Sequence, residues 1–533
     1  MDVENKSIED QLPVENHHSE HLSERSVRQI FYQPTKQRQT WADKQDLPHV
    51  EWVDLFYDLF YVGMAYNLGT LVLNDMASKI SILYFVCLFL PCASMWYTKL
   101  YFDGRFVHGE SLYKRLLMVI DLCILASVMV HIKNVEVMRD SKSYINMFAF
   151  SLSMLLSFII NSIRMLEIFL DPTSRSEAKH SARSDFQNKI LSFFFYLAAV
   201  VVSGIDYFGN DVIELNKNTD EGHRYMAESK DTYTNDIPVY LCLAAYLSYQ
   251  AYMIVKVFFL YPKGGHHKKF IVPMNVGYSI HRIGEWMMLM LGESVLSLLI
   301  VDVPGGDKKY YITFFSGVLA VILMQYLHFQ SEPHHAKDHA MRRDKNAGLT
   351  YNVLTQFYSL ALVAIGVSYK MMLTEFTYPP PIENSDYTGT TSSSNKEGHN
   401  RMLAGGAKEP STLEETEERH RLIANFFSIS LCLALIILDF MTLAHKGINA
   451  NLSRCKDENC EIPGKSRVSL TTIGIIIAKC GVIVFTCLTF FFLLEPMHLA
   501  IGGLIIMLVS VLIRTVADVQ LNYKRKAVAN FEC

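Results

Sequence analysis

The sequence predicts an all-α fold, a polytopic integral membrane helical bundle of about 12 transmembrane helices, with two halves of six and a chance likeness of helix ends as the alternatives for its internal similarity. Three observations carry that reading. Half of the 533 residues are hydrophobic and only 19% are charged. The apolar residues recur in runs of about 20, the length that crosses a bilayer. The charges concentrate in the short connections between those runs and at the two ends of the chain.

The first 48 residues are polar, with His17, His18 and His21 in the run HHSEH, and show no apolar signal-peptide core. They read as a disordered arm, leaving the first membrane helix to direct insertion. Twelve spans follow, at 52–74, 80–102, 116–132, 145–169, 188–208, 237–260, 278–301, 310–329, 350–373, 422–444, 470–493 and 497–519. About nine of them form a core at 49–373. A flexible loop rich in Pro, Ser, Thr and Gly occupies 374–421, the last helices lie at 422–519, and 520–533 is a basic tail. Glu495-Pro496 joins the last two spans as a tight hairpin. Losing one of the two would give eleven spans and move the C-terminus across the membrane.

Lys and Arg gather in alternate connections, for example Arg105, Lys114 and Arg115, then Lys337, Arg342, Arg343 and Lys345, and finally Lys524, Arg525 and Lys526. The positive-inside rule places those connections and both termini in the cytosol. The membrane is the plasma membrane or an internal one. On that topology the sequon at Asn451 faces the cytosol and goes unused. The halves are suggested by WYTKLYFDGRF at the end of span two and QYLHFQSEPHH at the end of span eight, each leading into a charged loop.

Other classes fit less well. A net charge of −4 argues against nucleic acid or another polyanionic partner. The ten cysteines are scattered, several in apolar runs (Cys87, Cys92, Cys123, Cys432), as small core residues would be. Cys455 and Cys460 share a loop, a spacing that is poor evidence for a redox or metal site. No nucleotide loop, haem motif, zinc-protease motif or Ser-His-Asp pattern is present, so neither an enzyme nor a cofactor is expected. The expected partners are the lipid bilayer and a small ion or solute. The oligomeric state is open, with a homodimer among the options.

The chemistry lies in ionisable residues inside the spans, where each charge costs roughly 3 kcal/mol at the bilayer centre. In span one, Glu51, Asp54 and Asp58 stand at i, i+3 and i+7 on one helical stripe. Carboxylates so close can attract a cation or share a proton; acids also suit a helix start at the interface, which explains Glu51 better than Asp58. Span seven carries His281, Arg282, Glu285 and Glu293. Arg282 and Glu293 are eleven residues apart, about 16 Å along a helix, so they cannot pair directly. Their partners are sought among Arg164 and Glu167 of span four, Lys256, Lys370, Asp439, Lys479, Arg514 and Asp518. A static network fixing helix packing explains such charges as well. No metal site is expected. His335 and His339, at i and i+4 beside Asp338, are the weak exception, explained equally well by a solvated helix start. His328 and His281 sit at membrane boundaries, where they can sense pH.

Four of these stretches also carry a resemblance. WVDLFYDLFYV in span one, MWYTKLYFDGRF followed by YKRLLM, HRIGEWMMLMLGESV, and FQSEPHHAKDHA resemble, in order and spacing over residues 49–370, motifs of the low temperature requirement A family of multi-pass membrane proteins. The resemblance carries Asp54, Asp58, Arg105, Arg115, Arg282, Gly284, Gly292, Glu293, Ser294 and His339 onto motif positions. It departs from the family where His281 replaces an acid, Tyr278 a histidine and Glu285 an apolar residue. It implies a helical membrane protein with a stress or cold-growth link in bacteria, and supplies no substrate.

The function these readings favour is a transporter or channel-like protein for a small ion or solute, with proton coupling. Asp58 and Glu293 are the expected titrating or ligating carboxylates between spans one and seven, and Arg282 the charge that sets their protonation. The alternative is a non-transporting membrane sensor or scaffold linked to stress or low temperature, with the intramembrane charges structural.

Overall fold

The computed structural model describes residues 31–39, 52–74, 78–107, 111–139, 144–217, 236–260, 272–304, 307–333, 339–343, 345–377, 413–446, 470–492 and 495–531. Among them, twelve helices of 19 residues or more follow in order. These are α1 (Trp52–Asn74), α2 (Lys79–Asp103), α3 (Leu112–His131), α4 (Tyr144–Leu170), α5 (Ser176–Lys217), α6 (Ile237–Val255), α7 (Val276–Leu299), α8 (Lys308–Ser331), α9 (Lys345–Thr377), α10 (Leu413–Lys446), α11 (Leu470–Phe492) and α12 (Pro496–Phe531). Each apolar run read from the sequence falls on one of them. Eight (α2, α4, α5, α6, α8, α9, α10 and α12) are long and apolar enough to cross a membrane. α1, α3 and α7 are not in that set, and they hold Asp54, Asp58, Asp121, Arg282, Glu285 and Glu293.

Local chemistry sets the helix starts. Asn275 accepts the Tyr278 amide at 3.0 Å and caps α7, Ser78 accepts the Ser81 amide and caps α2, and Asp307 accepts the Lys309 amide at 2.9 Å and caps α8. Pro238 occupies the first turn of α6, where its missing N–H costs nothing. The α4–α5 connection is a polar turn in which Asp171 accepts from Thr173 and Ser174.

α9 is the central post. Of its apolar stretch 89% is buried, against 22% for α6 at the periphery. It packs against α7, α10, α8, α1 and α2. Around it, α3 to α6 form one flank (α3 on α4, α4 on α5, α5 on α6), and α10, α11 and α12 the other. The outer faces are apolar: Leu116, Phe194, Val201, Ile205, Phe315 and Leu512 are each more than half exposed. So wide an apolar girdle matches hydrocarbon rather than water. The protein is an all-α, multi-pass integral membrane protein.

Residues 31–39, expected within a disordered arm, are instead docked. β1 (Lys36–Gln37) pairs antiparallel with β2 (Phe106–Val107), Lys36 opposite Val107 and Gln37 opposite Phe106. Tyr32 and Thr35 both donate to Glu167 Oε1 at 3.2 Å, and the Arg38 guanidinium lies 4.6 Å from the Tyr278 ring centroid. These polar side chains find partners on the bundle that a reading of composition could not supply.

Candidate functional site

The α1, α2 and α7 helices meet in an ionic cluster. Arg282 faces Asp58 as a fork, Nη2 donating to Oδ1 at 2.9 Å and Nη1 lying 2.8 Å from Oδ2 as an ion pair without an aligned hydrogen bond. Trp96 Nε1 donates to the same Oδ1 at 2.7 Å. Asp58 is 0% exposed and Arg282 3%. Nη1 also donates to Glu285 at 2.7 Å, one turn along α7, and Glu285 lies 3.3 Å from His281 Nε2. Asp54 belongs to a neighbouring group. It accepts from Lys99 at 2.7 Å and from the Tyr278 hydroxyl at 3.3 Å, while Lys99 also bridges to Asp103 at 2.6 Å. The two carboxylates that share a stripe in sequence therefore face different cations. An aromatic wall of Trp96, Trp286, Tyr61 and Tyr97 encloses the group, with the two indoles 4.5 Å apart. A bidentate, charge-assisted pair inside such a wall is rigid.

Glu293 lies three turns further along α7 and is 2% exposed. Ser297 donates to its Oε1 at 3.2 Å, and Oε2 has no hydrogen-bond partner. Among the described residues no cation lies within salt-bridge distance of Glu293; Lys370 of α9 acts on it from further away, its ammonium 4.9 Å from the Tyr66 ring centroid. A close helix crossing makes this possible. A Cβ on Gly366 would stand 2.6 Å from the Cα of Ser294, so only glycine admits the approach. Ser294 Oγ seals the crossing by donating to Leu362 O at 3.0 Å. One turn beyond Gly366, Lys370 is thereby brought towards the residue before Ser294.

Arg282 and Glu293 thus have separate partners, and Arg282 is not the charge beside Glu293. Arg164 and Glu167 of α4 are not brought to either site. Arg164 pairs with Asp121 and Glu167 with Lys114, both on α3. Lys256 holds Ser184 and Asn188 of α5, Lys479 pairs with Asp439, and Arg514 donates to Thr442 and the Gln330 carbonyl and lies 3.7 Å from Asp518. Trp96, Lys99 and Tyr278 are participants whose role the sequence reading missed, and it also missed Asp121 as the partner of Arg164. Lys99 sits inside the quoted stretch WYTKLYFDGRF, and a lysine in so aromatic a helix end is a signal for a buried anion.

The histidines differ from expectation. His339 is 0% exposed rather than part of a solvated helix start, because His445 from the end of α10 and Tyr351 of α9 pack on its ring at 4.4 and 4.6 Å. Burial holds its imidazole below the usual value in spite of the nearby Glu332, so the ring is neutral. His328 is buried and stacked on Tyr358, while His281 is 55% exposed. Glu51, His334, His335, Asp338, Asn451, Cys455, Cys460 and the loop 379–411 lie outside the described residues.

The chain matches the family described as bacterial low temperature requirement A protein (LtrA) over residues 49–392, 344 of its 533 residues. It belongs to that family. The LtrA match takes in α1 to α9 and with them Asp58, Trp96, Arg282, Glu293, Gly366 and Lys370. It extends past residue 370, where the motifs legible in the sequence end. α10 to α12 lie beyond it. No curated protein matches the chain, and no solved structure does.

Proposed function

We propose that this LtrA-family protein is a transporter or channel-like protein for protons or a small cation, in which Glu293 is the exchanging carboxylate and Lys370 its counter-charge. One observation carries the reading: Glu293 Oε2 is buried without a hydrogen-bond partner, and among the described residues no cation lies within salt-bridge distance of it, whereas Asp58 on α1 is in direct contact with Arg282. A buried carboxylate oxygen without a donor is completed by a cation or water beside it, or by taking up a proton. Lys370 keeps the site near neutral when the carboxylate is charged, so either state is accessible. Ser297 supplies an oxygen that can follow the proton or ligate the ion. The basic connections place both termini in the cytosol in this reading.

The test is flux in proteoliposomes. Wild type should carry protons or a monovalent cation down an imposed gradient. Glu293→Gln keeps the shape, removes the charge and should abolish that flux while the protein stays folded. Wild-type liposomes as tight as empty ones would reject the proposal.

The buried Asp58–Arg282–Trp96 cluster favours a second reading, a sensor or scaffold whose charges hold the helices in place. On that reading Glu293→Gln should lower the melting temperature and no flux should be found.

A further inference from the structure

We propose that Glu332, His339 and His445 form a binding site for a divalent transition-metal ion, with zinc the best match. The three residues come from separate parts of the fold. Glu332 follows the last residue of α8, His339 precedes the short helical turn Ala340–Arg343, and His445 lies in the last turn of α10. One donor atom from each lies within 4.8 Å of the others. Glu332 Oε2 stands 3.2 Å from His339 Nε2 and 3.4 Å from His445 Nε2. Metal–ligand bonds of about 2.0–2.1 Å in a tetrahedron put neighbouring donor atoms about 3.3–3.4 Å apart. Both Glu332–histidine separations are thus those of a tetrahedral edge, and a zinc ion with three protein ligands would keep its fourth position for water.

The hydrogen bonding points the same way. Glu332 Oε2 and His339 Nε2 are both buried, and neither has an aligned hydrogen-bond partner despite their proximity. The Tyr351 hydroxyl donates to Glu332 Oε1 at 2.9 Å, which fixes the carboxylate and leaves Oε2 turned to the histidines. The donor set of two imidazoles and one carboxylate suits zinc, whereas calcium and magnesium take oxygen ligands.

One feature opposes ligation and shapes its consequence. The Met341 amide donates to His339 Nδ1 at 3.2 Å and the Ala340 amide to His445 Nδ1 at 3.1 Å. Both ring protons therefore sit on Nε2 in the metal-free protein. A metal at Nε2 moves each proton to Nδ1, the position that metal-bound histidines use to donate. The two amides must then turn away, so occupancy rearranges the backbone at 339–341. His445 lies outside the LtrA match, so the site ties α10 to the family core.

The test uses full-length protein purified in detergent, stripped with a chelator and titrated with Co2+ and then Zn2+. One ion per chain is expected, with the d–d absorption of tetrahedral cobalt, and Zn2+ should raise the melting temperature. Glu332→Gln, His339→Gln and His445→Gln should each weaken binding at least ~10-fold, since loss even of an outer partner costs that much. Exposed His281→Gln should bind as wild type does. Absence of the cobalt bands in wild type, or equal affinity in folded His445→Gln, would overturn the proposal and leave the cluster as a metal-free clamp on Glu332. The wild-type titration decides even if a variant misfolds.

Discussion

The two ends of α7 carry charge in opposite ways. At Arg282 the charged groups are in direct contact: the guanidinium with Asp58, an indole donor on the same carboxylate, and Glu285 alongside. At Glu293 the carboxylate has one serine, an oxygen without a hydrogen-bond partner, and a lysine on the facing helix that is not in contact with it. Burial is the same at both ends, so burial does not distinguish a structural charge from a working one. Direct contact with an opposite charge does. A carboxylate held against a guanidinium cannot change state without breaking the fold, whereas one with no cation in contact can.

The comparison breaks most visibly at Arg282. Arg282→Ala leaves Asp58 buried without its cation, a loss of about 3–5 kcal/mol. Melting temperature and yield in detergent should collapse, and Arg282→Lys should rescue them only partly, because an ammonium cannot form the fork. Wild-type-like melting of Arg282→Ala would remove the structural end of the comparison. Gly366→Ala comes next. Its Cβ would meet the Ser294 backbone and part α7 from α9, at about 1–3 kcal/mol of overpacking strain. It should also reduce flux, because Lys370 is carried away from Glu293. Trp96→Phe removes one donor from an oxygen that Arg282 still holds, so a loss of about 1 kcal/mol is expected in chemical denaturation. The smallest effect belongs to Lys309–Glu495, an exposed pair 2.6 Å apart. The Lys309 ammonium holds the Glu495 carboxyl below its usual value. Whatever the pair contributes is present above the usual Glu value and is lost as pH falls through the lowered one. In water it is screened, and Lys309→Ala should leave the melting temperature unchanged.

Much of this architecture was legible in the sequence. Each apolar run of about 20 residues became a helix because such segments can satisfy their backbone only internally in lipid. Arg282 and Glu293, intramembrane charges read from span seven, lie buried on α7. Their partners were not legible, because pairing depends on tertiary packing. Asp58 and Arg282 are 224 residues apart, and nothing in spacing chooses Asp58 over the other acids of the spans. Lys370 was one candidate among many until Gly366 and Ser294 fixed where α9 crosses α7. His339 looked solvated because the helix that buries it, α10, begins more than seventy residues later in the chain. Lys99 and Asp121 went unread since Asp54 and Arg164, which face them, lie on other helices.

The most direct test of the account is the double variant Glu293→Gln/Lys370→Met, measured for both melting temperature and ion flux. Removing two facing buried charges together leaves neither uncompensated, which is typically neutral or stabilising. The account predicts a melting temperature equal to or above that of wild type, together with complete loss of flux. A sharp fall in melting temperature would place Glu293 with Arg282 among the structural charges, and preserved flux in a stable double variant would contradict the claim that Glu293 is the exchanging group.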